Sequence, residues 1–88
     1  MITVSVENVD QGDLFISITA LNQAGSPVIV DKKRIKTGDS LPVDVQEDGH
    51  GWGKITWTAQ RTEHPAKTAQ RTVKVGAGAT VEVTTFFG

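Results

Sequence analysis

Between Asp44 and Trp52 the chain reads DVQEDGHGW, which brings three carboxylates, an imidazole and an indole into one short stretch. Asp44, Glu47 and Asp48 are oxygen donors of the kind that bind calcium, but their spacing matches no EF-hand loop. An acidic hairpin loop that is simply solvated explains them as well. Asp48 and His50 would form a transition-metal site with His64 only if two separate loops met in space. In a sandwich those loops, which precede and follow one strand, lie at opposite ends, so no metal site is expected. Gly49-His50-Gly51-Trp52-Gly53 has the composition of a phosphate loop. Phosphate loops open a helix whose N-terminus completes the site, whereas a strand pattern follows here. The glycines are better read as permitting positive φ in a tight connection.

Trp52 is then the residue with the most binding chemistry. Among glycines and beside Asp48 and His50, it either folds over the end of the core or stands exposed. An exposed Trp next to polar groups can stack on a sugar ring or anchor a protein partner. The candidate ligand-binding residues are therefore Asp48, His50 and Trp52 in one loop, with His64 in a second tip, Glu63-His64-Pro65-Ala66-Lys67, and Arg61 at the end of the strand that leads to it. Nucleophilic catalysis needs a hydroxyl with a base and an orienting group. The four serines fall in a strand or in turns, and neither His has a Ser near it in sequence. A chain of this size also leaves little interior for a pocket of about 300 Å³ or more. No catalytic residue and no cofactor is expected.

Two further stretches carry chemistry of a different kind. Lys32-Lys33-Arg34-Ile35-Lys36 is the one run of positive charge, flanked by Asp31 and Asp39 and without an interleaved aromatic. Edge protection of a sheet by lysines explains it better than phosphate contact. Phe86 and Phe87 close the chain with opposite strand parity, so one strand face cannot bury both. The pair suits the seam of a homodimer.

The elements that position these residues follow from composition. Val, Ile and Thr fill 28 of the 88 positions, and Leu and Met together only four. β-Branched side chains favour pleated strands, and no helical apolar period interrupts them. The length fits one domain, 1–88, and the absence of cysteine leaves sheet pairing and the core to hold it. A net charge of −1 and a pI near 6.0 argue against nucleic acid as a partner. MITVSVENVD has neither the basic nor the apolar segment of a signal peptide, and no apolar run approaches a bilayer span of about 20 residues. A membrane partner is not expected, and a cytoplasmic location is the expectation if this chain is the full gene product.

Period-two alternation predicts strands at Ile2–Glu7, Leu14–Ala20, Val28–Lys36, Leu41–Val45, Lys54–Arg61, Thr68–Val75 and Thr80–Thr84. Val28 and Val30 have the opposite parity to Ile35, so a bulge, or a strand that leaves one sheet for another, is expected within Asp31–Arg34. Pro42 places its strand at an edge or at that strand's start. Thr58–Thr62 and Thr68–Thr72 repeat the pentapeptide TAQRT. The repeat reads as two arms of one hairpin under similar constraints. Pairing Trp57 with Val73 would set Ala59 opposite Arg71, Arg61 opposite Ala69 and Glu63 opposite Lys67. About seven short strands and a central buried Trp57 resemble the broad immunoglobulin-like or fibronectin-type-III-like class. The resemblance implies an all-β, antiparallel β-sandwich. The expected function is a non-catalytic binding or adhesion module whose end loops recognise a glycan or protein partner. The alternative is a structural protein that self-associates through an edge strand near the C-terminus.

Overall fold

The computed structural model describes residues 1–85. They form seven strands in two sheets: β1 (Ile2–Asn8), β2 (Leu14–Ala20), β3 (Val28–Ile35), β4 (Ser40–Val45), β5 (Gly53–Arg61), β6 (Thr68–Val75) and β7 (Thr80–Val83). One sheet has the order β4-β1-β7 and the other β3-β2-β5-β6. The all-β sandwich read from the alternation is present, with no helix among the described residues. Phe86 and Phe87 lie outside those residues.

Alternation builds the core as expected. Val4, Val6, Val43, Val45, Val81 and Val83 face inward from the smaller sheet. Leu14, Ile16, Ile18, Ile55, Trp57, Ala59 and Val75 meet them from the larger one. Trp57 is 1% exposed and is the largest fully buried side chain. Burying such a ring removes about 200 Å² from water and dominates the local energetics.

The bulge falls where the parity change required it. Ile16 pairs with Lys33 and Ile18 with Val30, so three steps on β3 match two on β2. Lys32 takes up the extra residue with a left-handed φ of 48°, and its N–H donates to Ser17 Oγ at 3.0 Å. β4 is an edge strand, with Pro42 exposed and placed opposite Ser5.

Two features depart from the expectation. The hairpin of β5 and β6 is shifted by two residues: Ile55 pairs with Val73, Trp57 with Arg71, and Ala59 with Ala69. Each Arg therefore does not face an Ala, and Glu63 is not opposite Lys67. A turn in which the Lys67 N–H donates to the His64 carbonyl at 2.8 Å sets the register, and the Arg61 N–H donates to the Lys67 carbonyl at 3.0 Å. A shift of two leaves every side chain on its expected face. The second departure is that β7 pairs with β1 in parallel, Val6 beside Val81 and Asn8 beside Val83. The sandwich is antiparallel in every other ladder.

Candidate functional site

Because β5 runs antiparallel to β2, the loops before and after it lie at opposite ends of the sandwich. Asp48, His50 and Trp52 come together at one end, beside the turns 21–27 and 76–79. Arg61 and His64 are at the other end, beside the loop 9–13. The five sequence candidates therefore make two separate groups.

At the first end the loop is built around Asp48. Its Oδ1 accepts the N–H groups of His50 at 2.7 Å and Trp52 at 3.0 Å, and its own N–H donates to the Trp52 carbonyl. This is the local pairing that Asp offers a turn. The hydrogen bonds from Trp52 and His50 favour the ionised carboxylate and lower its pKa below the ordinary aspartate value. Gly51 closes the turn with a φ of 84°, a conformation that glycine adopts without strain. Asn22 Nδ2 donates to the Trp52 carbonyl at 3.0 Å and ties the 21–27 turn to the loop.

The frame leaves the Trp52 side chain in water: the residue is 44% exposed. Its ring rests over Gly76, where an added Cβ would come within 3.3 Å of Cζ3. Lys74 Nζ lies 4.8 Å from the ring centroid, a cation–π contact. Asn22, Asp48, Trp52, Lys54 and Lys74 surround a shallow cleft of about 230 Å³. Gly53 at its floor has no room for a side chain, since a Cβ would fall 2.8 Å from Val45 Cγ1. His50 is exposed beside the cleft. Among the described residues, no group of three or more His, Asp or Glu side chains is placed to hold a metal ion.

The opposite end is closed by a polar clamp that the sequence reading missed. Asp10 is 2% exposed, and its Oδ1 accepts from Arg61 Nη2 at 2.7 Å. Its Oδ2 accepts from both the N–H of Thr85 at 2.9 Å and the Thr85 hydroxyl at 2.6 Å. Burial alone would raise the Asp10 pKa. The bonds from Arg61 and Thr85, with that from the Gln11 N–H, outweigh it and hold the carboxyl well below the ordinary aspartate range. Asn8 is fully buried beside it. Asn8 Oδ1 accepts the Asp10 N–H at 2.8 Å, and Nδ2 donates to the carbonyls of Ile35 at 2.8 Å and Gly12 at 3.0 Å. Arg61 is thus held against Asp10 with its side chain 12% exposed, while His64 is exposed on the tip.

Asn8 and Asp10 sit in NVDQGD, where Asn, Asp and Gly announce a turn without showing that its polar groups become buried. Phe15 was also missed. It has the parity of Ser17 and Thr19, the polar face of β2, and this was the available signal that it stands outside the core. Comparison with protein families, curated proteins and solved structures finds no match for this chain.

Proposed function

We propose that this protein is a non-catalytic binding module that recognises a glycan or a protein partner through the loops at the Trp52 end. The observation that carries this reading is a half-exposed indole on a loop held by the hydrogen bonds of Asp48 and Asn22. Because Asp48, Asn22 and Gly76 already fix the backbone and one ring face, little ordering remains to oppose association. Tryptophan is also the side chain most enriched where single residues dominate a binding interface. Asp48 and Lys74 offer an acceptor and a cation on either side of the ring. His50 adds an exposed imidazole. The four-stranded order β3-β2-β5-β6 matches the C′-C-F-G order of immunoglobulin-like sheets, which supports that finer classification.

The test is an amide-shift titration of the labelled chain against oligosaccharides and candidate protein partners. Shifts confined to Gly49–Gly53, Asn22 and Lys74, with affinity reduced about thirtyfold in Trp52→Ala, are the expected outcome. A partner that shifts Gly49–Gly53 and is still bound at full strength by Trp52→Ala would sink this reading.

One observation favours the second reading, self-association through an edge near the C-terminus. Among the described residues β7 pairs with β1 on one side only, so its other edge can accept a strand. A mass that rises with concentration and falls on deletion of Phe86 to Gly88 is its expected signature.

A further inference from the structure

The outer face of the β3-β2-β5-β6 sheet carries a concavity away from the Trp52 loop. Pairing across β2, β5 and β6 sets outward residues in rungs: Phe15 beside Gln60 beside Thr68, then Ser17 beside Thr58 beside Gln70. Strands are about 4.8 Å apart and rungs about 7 Å, close to the dimensions of a sugar ring. Over these two rungs lies a concavity of about 460 Å³, within the range of small-molecule sites. Phe15 is 37% exposed there.

The chemistry of the cup selects among ligands. Ser17, Thr58, Gln60, Thr68 and Gln70 are all uncharged, and each can both donate and accept hydrogen bonds. Ser17 Oγ accepts from the Lys32 N–H, and Gln60 Nε2 donates to the Pro65 carbonyl at 2.9 Å, which fixes the rim. Thr58, Thr68 and Gln70 make no side-chain hydrogen bond to any described residue, so their groups are open to a ligand. Lys32 on the bulge is the one charge in the lining. Arg34, opposite Phe15, is occupied by Asp13 at 2.9 Å. An anionic ligand would find too few cations. Protein interfaces are rich in Phe, Tyr, Trp, Met and Arg and poor in Ser and Lys; of the enriched types this lining holds only Phe15, beside Ser17, Lys32, two Thr and two Gln. A neutral saccharide fits both features. Its hydroxyls need mixed donors and acceptors, and its C–H face needs one aromatic ring.

We propose that this face is a binding site for a neutral oligosaccharide. Phe15 stacks on the C–H face of one sugar ring, and Thr58, Thr68 and Gln70 exchange hydrogen bonds with its hydroxyls. The site is independent of Trp52, and either reading can fail without the other. The test is a titration of the ¹⁵N-labelled chain with neutral cello-, malto-, xylo- and chito-oligosaccharides. Polygalacturonate and heparin serve as anionic controls. The expected result is that at least one neutral sugar shifts the side-chain amides of Gln60 and Gln70 and the backbone amides of Phe15 and Thr58. Phe15→Ala should then weaken binding by about tenfold or more, Gln70→Ala by about threefold or more, and Trp52→Ala not at all. Both truncated side chains are exposed, so the fold should tolerate them. The proposal is overturned by silence at these amides up to about 10 mM sugar, beyond the weak end of the usual affinity range. It is equally overturned by shifts that neither Phe15→Ala nor Gln70→Ala reduces, or by binding confined to the anionic polymers.

Discussion

The two ends of this sandwich handle polar groups in opposite ways. At the Asp10 end a carboxylate is taken out of water and surrounded by Arg61, Thr85 and the Gln11 N–H. At the Trp52 end a carboxylate stays in water, binds the two backbone N–H groups of its own turn, and supports an indole that is also in water. The first arrangement joins residues 51 and 75 positions apart, so it closes the sandwich. The second joins residues four positions apart, so it shapes a loop. The Asp10 carboxylate therefore serves closure, through Arg61 and Thr85, while the Asp48 carboxylate serves presentation within its own turn.

The largest expected effect that can break this comparison is at Asp10. Removing one partner of a buried pair leaves the other charge uncompensated, at a cost of about 3 kcal/mol. A domain of this size holds only about 5–10 kcal/mol in all. Urea unfolding of Asp10→Ala should show that loss, while Trp52→Ala should stay within about 1 kcal/mol. Equal losses at the two sites would erase the distinction between closure and presentation.

Acid sharpens the same contrast. The folded Asp10 carboxyl is held below its ordinary value of 3.8, so the native state favours the ionised form. Its contribution is complete above that ordinary value and drains away as pH falls below it towards the folded value. Asp10→Asn lacks the contribution at every pH. The stability gap between the protein and this variant should be flat near neutrality and close progressively below pH 3.8. A gap that persisted unchanged into strong acid would show that ionisation of Asp10 does not stabilise the clamp.

A smaller effect tests what lies beneath the Trp52 loop. Gly53 begins β5 against Val45, Val75 and Ile2, with a Cβ position 2.8 Å from Val45 Cγ1. Gly53→Ala overpacks that contact, which typically costs about 1–3 kcal/mol. Thermal unfolding should register the loss, although the substitution lies one residue from Trp52. The presenting loop would then be shown to stand on the core itself.

How much of this was legible follows from what alternation can encode. Ile55, Trp57 and Ala59 declare a buried face, and Val30 against Ile35 requires a bulge, because both are questions of parity. Parity does not distinguish Trp57 opposite Val73 from Trp57 opposite Arg71, since a shift of two preserves every face. The His64–Lys67 turn decided that question. The parallel placement of β7 beside β1 depends on a neighbour that its own residues do not name. The Asp10 clamp was hidden for the same reason. A turn-forming Asp and a buried Asp look alike until Arg61 and Thr85 are brought to it. At the candidate site, the cluster Asp48, His50 and Trp52 was legible because a single loop holds it. The distance to Arg61 and His64 followed from strand direction. The Phe15 cup needed three strands in known register before it existed at all.

The smallest predicted effect concerns Lys74, and it separates presentation from stability most cleanly. Its ammonium sits 4.8 Å from the centroid of the Trp52 ring. An exposed cation–π contact is worth about 0.5–1 kcal/mol. Lys74→Met removes the charge and keeps an apolar stem over the ring, so global stability should change by no more than that amount. The Trp52 indole N–H resonance should nevertheless move, while that of buried Trp57 stays in place. If the Trp52 end is built to present its ring, any ligand that contacts the ring should lose affinity in this variant, although the fold hardly registers the change. An unmoved Trp52 resonance would mean that Gly76 and the Asp48 turn hold the ring without the cation, and Lys74 would have no part in presenting it.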